Sequence, residues 1–100
     1  MQSRYAAEFH REQGFGEADW LRCLPGAVRD AAVDLATPGQ ARVAVGSGAL
    51  TLRWQVLPPR QLGLVGFMRL AVQFRFDGVA DDERQAFMKY FDLYTQRGGG

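Results

Sequence analysis

Hydrophobic and polar positions alternate most cleanly in the middle of the chain. Leu50, Leu52, Trp54 and Val56 are apolar, and Thr51, Arg53 and Gln55 between them are polar. Leu70, Val72, Phe74 and Phe76 repeat the pattern against Arg69, Ala71, Gln73 and Arg75. Successive strand side chains point to opposite faces, so each segment predicts a strand with one greasy and one wet face. Pro58 and Pro59 cannot donate to a sheet ladder and predict a turn or an exit from the sheet. From Gln61 to Phe76 no polar turn interrupts the run. That stretch predicts one long strand bent or bulged near Gly66, or two strands joined there. The connections are too short for crossovers, so the sheet is expected to be antiparallel.

The flanks follow from spacing and punctuation. Residues 3–13 predict a helix capped by Ser3, with Tyr5, Ala6 and Phe9 on one stripe and Gly14 as its end. A second helix is expected from Glu17, with Pro25-Gly26 breaking or kinking it. Residues 27–35 fit a short helical piece or a strand, with the helical spacing preferred. Thr37-Pro38-Gly39-Gln40 reads as a turn, residues 41–46 as a strand, and Gly46-Ser47-Gly48 as the hairpin connection into Leu50. Asp77-Gly78 closes the sheet. A long helix is expected from Ala80 to Tyr94, with Asp81, Asp82 and Glu83 at its positive end. Its stripe of Phe87, Phe91 and Tyr94, flanked by Tyr90, is expected to lie on the even face of the sheet. The fold class is therefore α+β: N-terminal helices, an antiparallel sheet of three to four strands, and one long C-terminal helix packed on it. One domain is expected over 1–97, with 98–100 a flexible glycine tail.

Composition changes this picture only slightly. The 100 residues are 47% hydrophobic, enough for a core, and the single Cys23 excludes an internal disulfide. No apolar run reads as a signal peptide or a membrane span, so a cytoplasmic location without membrane contact is expected. The net charge of +1 is unevenly spread. Residues 1–34 sum to −2, residues 35–76 carry five arginines and no acid, and residues 77–100 sum to −2.

Three stretches together resemble a bacterial family of small proteins with no assigned function. They are Glu17 to Leu21 with Leu24-Pro25, Leu52 to Arg60, and Phe87-Met88 with Phe91 to Tyr94 and the closing Gln96 to Gly100. The resemblance implies a shared fold and no particular chemistry.

The candidate chemistry is thin. His10 and Cys23 stand alone, short of the three or four ligands a metal site takes, so neither metal nor cofactor is expected. Cys23 is read as a structural thiol and His10 as a surface histidine. Ser47 lacks a nucleophile-elbow context, and Gly46-Ser47-Gly48 is too short for a phosphate loop. Asp81, Asp82 and Glu83 read as helix-start acids. The terminal Gly98-Gly99-Gly100 is reminiscent of sulfur carriers, but those end on a strand and here a helix precedes the tail. No catalytic residue is assigned, and the chain reads as non-enzymatic.

The best candidate surface is the outer sheet face. Arg53, Arg69 and Arg75 fall opposite the core set, Arg42 points away from Val43 and Val45, and Val65 and Phe67 share the arginine phase. Arg42, Arg53, Val65, Phe67, Arg69 and Arg75 are therefore expected to form an interaction surface. A protein partner or a second copy is favoured, through that face or a sheet edge. The alternative is anion or nucleic-acid binding by the guanidiniums.

Overall fold

A computed structural model describes residues 4–29 and 31–98. Its elements run β1 (Glu8–Gln13), α1 (Glu17–Ala27), β2 (Val33–Asp34), β3 (Gln40–Val45), β4 (Gly48–Leu62), β5 (Val65–Asp77) and α2 (Asp81–Gly98). The strands form one antiparallel sheet in the order β1-β5-β4-β3-β2. The fold is α+β, with five strands where three to four were expected.

The even-phase side chains of β4 and β5 are the inner ones. Leu50, Leu52, Leu70, Val72 and Phe74 are sealed, and Trp54 and Phe76 nearly so. Both helices supply the other half of that core, through Trp20, Leu24 and Ala27 of α1 and Met88 and Phe91 of α2. The rings interlock edge to face. Trp20 meets Trp54 at 5.8 Å and Phe91 at 6.0 Å, and Phe91 meets Phe74 at 5.6 Å. Phe87 reaches Phe76, as the stripe on α2 predicted, whereas Tyr94 stays about a third exposed, against Gly26, and Thr95 is buried instead.

Four local expectations are corrected. Residues 4–13 do not form a helix, and Ser3, its expected cap, lies outside the described residues. Glu8–Gln13 is a strand on the free edge of β5, with Phe9 opposite Phe74 and Gln13 opposite Leu70. Its inward positions are Phe9, Arg11 and Gln13. Two of the three are polar, so the alternation was hidden in the sequence. Of the two readings for 27–35, the alternative strand is found, over Val33–Asp34, and the preferred helical piece is not seen among the described residues. Arg29 adopts a left-handed φ of 57°, which ends α1, and Val33–Asp34 pairs with β3. Pro25 does not break α1; it sits on an exposed position and the helix runs on to Ala27. Finally, Pro58 and Pro59 do not end β4, and of the two readings for 61–76 the pair of strands is found, with its join at Gly63-Leu64 and not at Gly66. The two prolines occupy a register shift between Leu57 and Arg60, and the chain turns at Gly63-Leu64. Gly63 takes a φ of 63° at the first position of that two-residue loop, the arrangement of a II′ hairpin turn. Of the expected glycine tail, Gly98 is the last residue of α2, and Gly99 and Gly100 lie outside the described residues.

Candidate functional site

The helices cover only one side of the sheet. The other side is open, and the registers place its side chains in rows across the strands. Glu8, Arg75, Thr51, Arg42 and Asp34 form one row, and His10, Gln73, Arg53 and Gln40 form the next. A third holds Glu12, Ala71 and Gln55. The small Ala71 among longer neighbours leaves a shallow depression of about 520 Å³, rimmed by His10, Glu12, Arg53, Gln55 and Gln73.

The predicted arginines are on this face. Arg42, Arg53 and Arg75 are exposed, and Arg69 is half-buried. The same face also carries acids that the sequence reading placed on a helix. Because residues 8–13 form a strand, Glu8 and Glu12 project beside the arginines. Arg69 donates to Glu12 at 3.3 Å and to the Pro58 carbonyl at 2.9 Å, and Arg60 approaches Glu12 at 3.9 Å. Arg75 pairs with Asp77 at 3.4 Å and stands opposite Glu8, while Asp34 stands opposite Arg42. Gln73 donates to Glu8, and Arg53 donates to Gln40. Five guanidiniums therefore share the face with four carboxylates, and the predicted basic surface is in fact a mixed one.

The same face continues onto a feature with a different character. β1 pairs with β5 only from Leu70 to Arg75, and β3 pairs with β4 only from Gly48 to Arg53. Beyond those limits β4 and β5 run on with each other alone, as a two-stranded arm closed by Gly63-Leu64. The register shift at Pro58-Pro59 reverses the phase of β4. Arg60 then stands opposite Phe67, and Leu62 opposite Val65. Phe67 lies two and four residues from Arg69 and Ala71, so all four of these arm side chains share the outer face. Val65 and Phe67 thus lie where the sequence put them, joined by Leu62. Met68 lies on the helix side, against Gly16.

The arm is apolar and uncovered. Leu64 at its tip is fully exposed, Leu62 is 62% exposed, and Val56, Val65, Phe67 and Met68 are each about half exposed. Where β1 stops and the arm begins there is a groove of about 310 Å³, lined by Glu12, Gly14, Arg60, Leu62, Phe67, Met68 and Arg69. Sequence reasoning missed Leu62, Leu64 and Met68 as surface residues. The one available signal was Gly63, the first residue of a Gly-X hairpin loop between Leu62 and Val65.

Cys23 is half-buried against the core, and burial pushes its thiol pKa up, away from thiolate chemistry. His10 projects from the outer side of β1, opposite Gln73, on the face the helices do not cover. Asp81 accepts from Arg4 at 2.5 Å and from Arg84 at 2.7 Å. The Arg4 hydrogen bond, with the charges beside it, holds the Asp81 carboxyl below its usual range. Among the described residues no three His, Cys, Asp or Glu side chains gather as metal ligands would. No described helix is long and apolar enough to cross a membrane. No family model matches the chain, and neither a curated protein nor a solved structure does.

Proposed function

We propose that this chain is a non-enzymatic, protein-binding module whose contact surface is the β4–β5 arm together with the outer sheet face at its base. The observation behind this reading is the arm itself. A two-stranded ribbon with no third strand or helix behind it is marginal in water. Here it carries half a dozen large apolar side chains into solvent, and contiguous exposed apolar surface of that kind marks an interaction site. The face at its base supplies a polar rim of paired guanidiniums and carboxylates around that apolar centre.

Binding of anions or nucleic acid is the weaker reading. Four of the five arginines already have carboxylates beside them, and among the described residues the outer face offers only Phe67 and the His10 imidazole as rings for stacking. The test is a photoreactive residue in place of Leu64, activated in cells that express the chain natively. Discrete adducts with one or two proteins, the chain itself included, support the module. Loss of all protein adducts, with RNA recovered instead, would replace it with the nucleic-acid reading.

A further inference from the structure

The arm has two long edges, and they are not equivalent. Past Arg53 the edge of β4 carries Pro58 and Pro59, which have no N–H to offer an incoming strand. Past Leu70 the edge of β5 carries Val65, Gly66, Phe67, Met68 and Arg69, with neither a proline nor an acid. Such an edge is a template for another strand. Its geometry can be read from the turn. In a two-residue hairpin the flanking pair, Leu62 and Val65, exchanges hydrogen bonds, and the pattern alternates from there. Phe67 then directs its backbone groups toward β4, while Gly66 and Met68 direct theirs outward.

We propose that the arm's partner is a second copy of this chain, paired antiparallel along the free β5 edge about a two-fold axis at Phe67. This deepens the reading above by naming the occupant. In that register each Gly66 faces the other copy's Met68, so the outward backbone groups meet one another. Val65 faces Arg69, and the two Phe67 rings lie side by side on the outer face.

Three further observations favour a second copy over another partner. The segment from Leu62 to Met68 carries no charge, so bringing two copies together opposes no like charges. Each tip, ending in Leu64, arrives at the level where the other copy's β1 stops, which is where the groove beside Gly14 and Phe67 lies. The area is of the right order. At roughly 200 Å² for a fully exposed large apolar residue, Leu62, Leu64, Val65, Phe67 and Met68 present roughly 600 Å², approaching the roughly 800 Å² per partner of a standard stable interface.

The experiment combines mass with cross-linking. Light scattering on the purified chain is expected to give about twice its 11.1 kDa mass. Phe67→Asp, which sets two carboxylates on the axis, and Gly66→Pro, which removes an outward N–H, are each expected to give the monomer with an unchanged circular dichroism spectrum. A Phe67 self-pair in this register is of the non-hydrogen-bonded kind, with Cα atoms about 4.5 Å apart, within disulfide range. The double variant Cys23→Ser/Phe67→Cys is therefore expected to oxidise to a covalent dimer, and Cys23→Ser/Thr51→Cys to remain single. A monomeric wild-type chain, or a dimer that survives Phe67→Asp and does not cross-link at position 67, overturns the proposal. A monomer that still gives a discrete foreign adduct at Leu64 rejects self-pairing alone and leaves the module standing.

Discussion

Arg11 shows how a single residue can mislead and then explain. It faces the helices, not solvent, and lies about 5 Å from the Phe9 and Phe74 rings. Its guanidinium donates to Asp92 of α2 at 2.7 Å, and the same carboxylate accepts from the Tyr5 hydroxyl at 2.5 Å. Both members of the ion pair are about a fifth exposed. Removing one leaves the other partly desolvated and unpaired, so Asp92→Asn is expected to cost about 1–3 kcal/mol in urea unfolding, more than a typical surface pair. Tyr5 supplies a pH test. Burial, helped by the hydrogen bond to Asp92, pushes its pKa from 10.0 to about 12. A raised folded value means the stabilisation is complete below about pH 10 and is lost as the pH rises through about 12. Tyr5→Phe is expected to remove a late phase of tyrosinate absorbance and to flatten the alkaline loss of stability.

At the scale of elements, the β4–β5 hairpin divides into two parts with different duties. Residues 50–54 and 70–76 are held by the core and by neighbouring strands, whereas beyond Leu57 and Arg69 the arm meets the body lightly, through Met68 against Gly16 and Arg60 near Glu12. Replacing residues 58–68 with an Asn-Gly turn between Leu57 and Arg69 is therefore expected to keep the spectrum and the thermal midpoint nearly unchanged. Collapse of the fold on this deletion would show that the arm packs on the body. The same hairpin shows why part of the architecture was hidden. Prolines at 58 and 59 read as an ending because they cannot pair centrally. A two-stranded ribbon has free edges that tolerate them, and whether a strand has neighbours there is not a local property.

For the whole molecule, the placement of β1 decides the electrostatics. As a helix, residues 8–12 would have left the five arginines with only Asp34 and Asp77 as acids on that face. As an edge strand, they set Glu8 and Glu12 among them. Retention on immobilised RNA is accordingly expected to be weak and nearly independent of salt. Glu8→Gln/Glu12→Gln, which unpairs Arg69 and leaves Arg75 without its acid across the strand, is expected to raise that retention and make it salt-sensitive. An unchanged elution would show that the face does not act as one electrostatic surface.

The central strands, their inward residues, the turns at Thr37 to Gln40 and Asp77-Gly78, and the helices starting near Glu17 and Asp81 were all legible in the sequence. Each is set by interactions spanning a few residues: side-chain alternation, helical spacing, capping charge and turn chemistry. The strand identity of Glu8–Gln13 and Val33–Asp34 and the emergence of the arm belong to tertiary structure. Short segments with polar inward positions have no decisive period of their own. They take the conformation that an open strand edge and a distant carboxylate, here that of Asp92, make favourable.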